Sequence, residues 1–330
     1  MRLLIQLASI ALLCGSIAKA GEDQSGDCRG KLRGETVELR MELANGNITT
    51  TLALDELEGA DQLNRDGRVH FSYQHEAGTV EFSGHMVVGK FTGEYIFTAD
   101  VDYLDQLESM VLERPASNKT FALALHDVST EFIKVVQDMG YTEIGLNKLL
   151  AFRIHEVTPE FIDEMAALGY EDLSANKLIA FRVHGIERAY IQEITDLGYE
   201  GLPANKIIAF RVHEIDAELI SGLAEAGYAE LPANKLIAFK VHDITPDYAR
   251  SFAKAGLQDL PADKLIAFKV HDLDLNYIAA LSDEGYDNLS ANKLIAFRVH
   301  DVTPAYIQAL RKKGATDLTA NELLRRKIMD

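Results

Sequence analysis

From Gly34 to about Thr98 apolar and polar residues alternate, so the period is two. "TVELRMEL" (36–43) alternates, "ANGN" supplies a turn and "ITTTLAL" (48–54) alternates again, which predicts a hairpin. "RVHFSYQ" (68–74), "TVEFSG" (79–84) and "GEYIFTA" (93–99) read as further short strands between glycine-containing turns. One polar run, "DELEGADQLNRDG" (55–67), interrupts them. These segments predict a small antiparallel β domain over 34–99.

From Asn118 the pattern repeats every 29 residues, with units opening at Asn118, Asn147, Asn176, Asn205, Asn234, Asp263 and Asn292. Such a period means a repeat architecture, in which no unit covers its apolar face alone. In the unit 176–204, "SANKLIAFRVH" (174–184) reads as an inner helix. Leu178, Ile179, Ala180, Phe181 and Val183 point nearly all round it, so neighbours are expected to cover it on most sides. Burying five such residues contributes on the order of 8–12 kcal/mol. Ser174 and Ser290 suit a helix cap, and Pro203, Pro232 and Pro261 suit a helix entry.

An outer helix follows, opening at Thr158-Pro159, Thr245-Pro246 or Thr303-Pro304 and carrying a single apolar stripe such as Phe161, Ile162, Met165 and Leu168. Gly140, Gly169, Gly198, Gly227, Gly256, Gly285 and Gly314 end it. A Tyr follows in five copies, as in a Schellman cap, and Leu257 and Ala315 stand there in the others. "DVDYLDQLESMVL" (100–112) matches an outer helix alone, and "NELLRRKIMD" (321–330) an inner helix alone with Arg325 and Arg326 on its open side. The fold class expected is therefore α+β: a small antiparallel β domain, then an all-α two-helix-repeat solenoid over 100–330. The solenoid divides into a half-repeat 100–117, seven units 118–320 and a terminal half-repeat 321–330.

Composition changes the picture at the amino terminus. "MRLLIQLASIALLCGSIAKA" has the early charge, apolar run and small-x-small ending of a signal peptide cleaved near Ala20. Cys14 as an acylated residue is the weaker reading, because Leu13 before it is bulky. A flexible leader, 21–33, is expected next, with Cys28 as a free thiol or a link between chains. Cleavage removes Arg2 and Lys19 and takes the net charge from −18 to −20. A chain this acidic is repelled by nucleic acid and by anionic lipid. No later apolar run reaches membrane length, so the mature chain is expected to be periplasmic or secreted and not membrane-spanning.

Three rows of side chains carry the candidate chemistry. His126, His155, His184, His213, His242, His271 and His300 keep one position. Zinc would need imidazoles within about 4 Å, whereas neighbouring helices lie about 8–10 Å apart, so no metal or other cofactor is expected. Seven equivalent copies also supply no positioned base and no pocket, so no catalytic residues and no small-molecule substrate are expected. The histidines instead read as pins whose ring nitrogens bond turn backbone or the next repeat, or as partner contacts. His70, His75 and His85 read as ordinary strand and turn residues. Gly84 to Lys90 imitates a phosphate-binding loop, but Phe91 stands where a hydroxyl is needed.

Lys119, Lys148, Lys177, Lys206, Lys235, Lys264 and Lys293 sit in the first turn of each inner helix, against the dipole. An acid five or six residues earlier, such as Asp172, Glu200, Glu230 or Asp287, is the local explanation. Otherwise these lysines, with a second row of Arg153, Arg182, Arg211, Lys240, Lys269 and Arg298, form a basic stripe suited to an anionic polymer or an acidic partner.

The units "LLAFRIHEVTPEFIDEMAALGY" (149–170) and "LIAFRVHDVTPAYIQAL" (294–310) resemble a helical repeat of exported bacterial proteins. The same repeat follows the membrane part of some beta-lactam-sensor-type metallopeptidases. "AGTVEFSGHMVVGKFTGEYIFTAD" (77–100) is similar to the strand segment that often precedes those repeats. The resemblance implies an α-solenoid in a bacterial envelope and offers no catalytic residues, since H-E-x-x-H is missing here. The expected function is a non-catalytic exported scaffold that binds another envelope protein. The alternative is a binder of an anionic polymer or carbohydrate through the Lys and Arg rows.

Overall fold

A computed structural model describes residues 24–329 apart from 45, 112, 259 and 316. The expected signal segment, 1–20, lies outside the described residues. Two compact units divide the chain, one up to 167 with 172–182 and one of 168–171 with 183–330. Seven antiparallel strands come first: β1 (Gln24–Arg33), β2 (Thr36–Leu43), β3 (Gly46–Ala53), β4 (Leu57–Glu58), β5 (Gly67–His75), β6 (Gly78–Val87) and β7 (Lys90–Ala99). Their spatial order is β3-β2-β1-β7-β6-β5-β4. The polar run 55–67 becomes β4 and two short 3-10 turns.

β1 corrects the expectation of a flexible leader over 21–33 from Gln24 onward, and 21–23 lie outside the described residues. It is the strand that joins β2 to β7, paired from Cys28↔Met41 to Arg33↔Thr36 on one side and from Gln24↔Phe97 to Lys31↔Lys90 on the other. Its glycines hide the strand pattern, because Gly26 and Gly30 lack the side chains that mark a period of two. Both are needed: a Cβ on Gly26 would lie 2.4 Å from the Glu42 carbonyl oxygen, and one on Gly30 2.7 Å from Leu39 Cδ2. Cys28 is free and buried in this chain, and burial pushes its thiol up to about 12, which keeps it protonated in the core.

The sheet's buried face carries Val37, Leu39, Phe71, Phe82, Tyr95 and Phe97. Phe71 and Phe82 stack at 4.7 Å, with Phe91 edge-on to Phe71 at 5.2 Å. Sixteen described helices follow in tandem. The outer ones are α1 (Val101–Val111), α3 (Thr130–Asp138), α5 (Pro159–Ala167), α7 (Arg188–Asp196), α9 (Ala217–Glu225), α11 (Pro246–Lys254), α13 (Leu275–Asp283) and α15 (Pro304–Lys312). The inner ones are α2 (Ser117–Leu125), α4 (Leu146–Ile154), α6 (Ala175–Val183), α8 (Ala204–Val212), α10 (Ala233–Val241), α12 (Ala262–Val270), α14 (Ala291–Val299) and α16 (Ala320–Met329). The chain is thus α+β, a sheet followed by helix pairs.

Within the first unit α2 lies on the sheet. Phe121, fully buried, stacks on Tyr95 at 5.1 Å and leans on Phe97 at 5.0 Å. This copy has Ala124 where others have Arg or Lys, and the Tyr73 hydroxyl donates to the Ala124 carbonyl at 3.5 Å. Tyr103 on α1 donates to the Val128 carbonyl at 2.8 Å. The sheet thus covers α2 as a preceding repeat would, and every residue of α2 from Thr120 to Leu125 is buried.

Within the second unit α8, α10, α12, α14 and α16 are successive neighbours. Their cover is narrower than the pattern predicts. Leu236 and Phe239 are 1% and 0% exposed, yet Val241 on the same helix is 54% exposed. Neighbouring helices close the Leu–Phe face and leave the Ile–Val edge open. Two fully buried side chains per helix contribute about 3–6 kcal/mol, less than five would.

The outer helices begin as their sequence signals predict. Thr245 accepts the Tyr248 amide at 3.1 Å and Thr303 the Tyr306 amide at 3.2 Å. They end on glycines with φ between 81 and 101°. The following Tyr closes a Schellman turn, for example Tyr228 N–H to the Leu223 carbonyl at 2.9 Å. Its hydroxyl then crosses to the next repeat. Tyr141 donates to Leu173 O at 2.7 Å, Tyr199 to Leu231 O at 2.8 Å and Tyr228 to Leu260 O at 2.7 Å. Leu257 has no hydroxyl to offer.

Candidate functional site

The arginine row is bound into the fold. The Nε of Arg153, Arg182, Arg211 and Arg298 donates to the backbone carbonyl of His126, His155, His184 and His271 at 3.1, 3.2, 3.0 and 3.0 Å. Each guanidinium therefore caps the carboxyl end of the inner helix one repeat earlier, where the dipole favours a cation. These guanidiniums, and Lys269 at the same repeat position, lie over the first aromatic ring of the preceding outer helix. Arg182 is 4.8 Å from Phe161, Arg211 4.7 Å from Tyr190 and Lys269 4.8 Å from Tyr248. Arg182 also pairs with Glu156 at 3.0 Å, and Arg153 with Asp127.

The pin between repeats is thus this arginine, and the histidine takes part through its carbonyl. Among the described residues the imidazoles of His126, His155, His184, His213, His242, His271 and His300 make no hydrogen bond of their own. His126, His155, His213, His242, His271 and His300 donate their backbone amides four residues back, as His242 does to Ala238 O at 3.0 Å. Burial, with Arg153 adding to it, pushes His126 down to about 4, and burial also lowers His155.

The residue after each histidine was not legible in the pattern. Asp127, Glu156, Glu214, Asp243, Asp272 and Asp301 all have φ between 50 and 56°, and Gly185 holds the same place at 62°. The turn requires a left-handed residue, and Gly185 was the available signal. His75, buried on β5, brings Nε2 to 3.3 Å from Asp127 Oδ1, off-line for a hydrogen bond.

The lysine row finds partners other than the preceding acid. Among the described residues Lys119 alone follows that expectation, 2.7 Å from Glu113. Lys148 and Lys235 bond instead to Asn176 and Asp263, and Lys293 to Asn321 at 2.6 Å, each the first residue of the next unit. A partner one repeat on offsets the dipole as well as one behind it. It also explains why Asn or Asp opens each of those units.

Two surfaces remain after these assignments. One is a ladder in the second unit: Val212, Val241, Val270 and Val299 are 49–54% exposed at one position of four successive inner helices. Ile208, Ile237, Ile266 and Ile295, four residues earlier and on the same face, are half-buried. The other is a cleft of about 730 Å³ in the first unit. Thr49 to Leu52 of β3 form one wall, and Tyr73, Arg153 and the turns after α2 and α4 form the other. Among the described residues no group of His, Cys, Asp and Glu is placed to hold a metal ion, and no helix is long and apolar enough to cross a membrane. In comparisons with family models, curated proteins and solved structures, the chain matches none.

Proposed function

We propose that this chain is a non-catalytic, exported repeat scaffold of a bacterial envelope that binds another protein along its inner helices. The observation that carries this reading is the ladder of Val212, Val241, Val270 and Val299. Four half-exposed valines at one repeat position, backed by four isoleucines, form an apolar strip in an otherwise charged surface. Helix spacing of about 8–10 Å sets the rungs, so the strip suits an elongated protein partner.

The polymer-binding alternative depends on free cations in the Lys and Arg rows. Arg182, Arg211 and Arg298 already hold backbone carbonyls, and Lys235 and Lys293 hold side chains of the next unit. That use weighs against it. A capture experiment from envelope extract separates the two. Recovery of one protein that resists added salt and is lost in Val241→Glu/Val270→Glu supports the scaffold. Salt-labile capture of a polyanion, indifferent to those substitutions, would overturn it.

A further inference from the structure

β3 and β4 are the two edges of the sheet. Natural sheets blunt exposed edges by shortening them or by placing Lys, Pro or a bulge there. β4 is two residues long. β3 has none of these protections: Gly46–Ala53 reads GNITTTLA, without charge or proline, and Ile48 to Thr51 are β-branched without a break. It keeps an even register with β2 from Gly46↔Leu43 to Ala53↔Thr36.

Ala53 indicates which amides face outward. Its N–H donates to Glu56 Oε2 at 3.0 Å, away from β2. An antiparallel ladder alternates, so the N–H and C=O groups of Thr51, Thr49 and Asn47 also face outward. Among the described residues no strand pairs with them. The space beside Thr49 and Thr51 is the 730 Å³ cleft, within the roughly 300–1,000 Å³ of ordinary binding pockets.

Charge selects the occupant. Glu38, Glu56, Asp127 and Glu156 line the cleft against Arg153. Arg33 takes one oxygen of Glu38 at 3.1 Å and Arg182 one of Glu156 at 3.0 Å, while Glu56 has no cation among the described residues. A second copy of β3 would bring a second Glu38 and Glu56 to the same place, which like charge opposes. We propose that β3 accepts an extended, lysine- or arginine-bearing segment of another polypeptide as an added strand. Its backbone bonds to Asn47, Thr49 and Thr51, and its basic side chains reach Glu38 and Glu56. The site uses different residues from the valine ladder and stands or falls without it.

The probe is an eight-residue fluorescent peptide alternating valine and lysine, with a valine–glutamate peptide beside it, added to the full chain. The valine–lysine peptide should bind and slow hydrogen exchange at Asn47, Thr49 and Thr51. Thr49→Pro/Thr51→Pro removes outward amides only, so it should weaken binding about tenfold or more with little change in melting temperature. Glu56→Gln should weaken it about threefold. If the proline variant unfolds, exchange in the wild type decides. Failure of the valine–lysine peptide to bind, equal binding of the glutamate peptide, or no protection at those amides would each overturn the proposal. Self-association abolished by the prolines would assign the edge to a second copy and overturn the proposed partner.

Discussion

Gln24 of β1 reaches Tyr95 of β7, 71 residues on, whereas Arg182, Tyr199 and Lys293 reach partners 27, 32 and 28 residues away. One distant pairing, β1 with β7, joins the sheet's two runs of sequential strands, and β1 is the first described segment. Each helix pair instead bonds to its neighbour in sequence. The same apolar burial therefore has different consequences. A sheet held together by one distant pairing loosens on both sides of that joint, while a row of nearest-neighbour contacts loosens around the point of damage.

The largest expected effect tests that difference. Phe121→Ala should cost about 3–5 kcal/mol, since the ring is fully buried between Tyr95 and Phe97. Phe239→Ala removes a ring that is just as buried. Hydrogen exchange should quicken across β1, β7 and α2 for the first, and only from α8 to α12 for the second. A Phe239 variant that exchanged quickly throughout α8 to α16 would end the nearest-neighbour account.

Acid should separate the regions next. The His126 pKa is about 4 in the fold, below the free value near ~6.5, so the unfolded chain binds more protons between them. The stabilisation is complete above ~6.5 and is lost as pH falls towards 4, on the order of 3 kcal/mol. Urea titrations from pH 7 to 4 should show that loss, and His126→Gln should reduce it. Part of the slope should survive the substitution, because burial also lowers His75 and His155. A slope identical in both proteins would remove His126 from the account.

What the sequence made legible follows the same division. The period of 29 and the Thr-Pro and Gly-Tyr signals located the helix pairs, because each signal acts on its own neighbours. β1 was missed because its identity lies in what packs on Gly26 and Gly30, and those neighbours stand in β2 and β7. The edge of β3 and the cleft beside it were missed for a related reason. A hairpin pattern does not tell which strand ends the sheet. In the repeats, position alone did not tell which atom of a recurring side chain bonds. The rows of His, Lys and Arg were visible, but the carbonyl under each Arg and the Asn or Asp ahead of Lys148, Lys235 and Lys293 needed the neighbouring repeat.

Arg and Lys copies of one position sharpen the comparison within the repeats. Arg298 both lies over Tyr277 at 5.2 Å and donates to His271 O, whereas Lys269 lies over Tyr248. Arg298→Lys should cost about 1 kcal/mol through the lost charged hydrogen bond, and Lys269→Arg should restore a similar amount. Thermal melts of the two variants check it. Equal and unchanged melting temperatures would mean that the ring contact alone holds the row.

The smallest effect comes from the left-handed residue after each histidine. An L-residue there costs roughly 1–2 kcal/mol relative to its preferred conformation, and glycine gives back roughly 0.5–1 of that through its freer unfolded chain. Gly185 already uses the solution at φ 62°, while Asp272 holds φ 50°. Asp272 is exposed and has no ion-pair partner among the described residues. Asp272→Gly should therefore stabilise the chain by about 0.5 kcal/mol. Asp127→Gly should do the opposite, because Asp127 pairs with Arg153 and faces His75 beneath the sheet. Urea midpoints of the two variants that shifted in the same direction would show that the turn, and not the neighbouring sheet, decides which residue stands there.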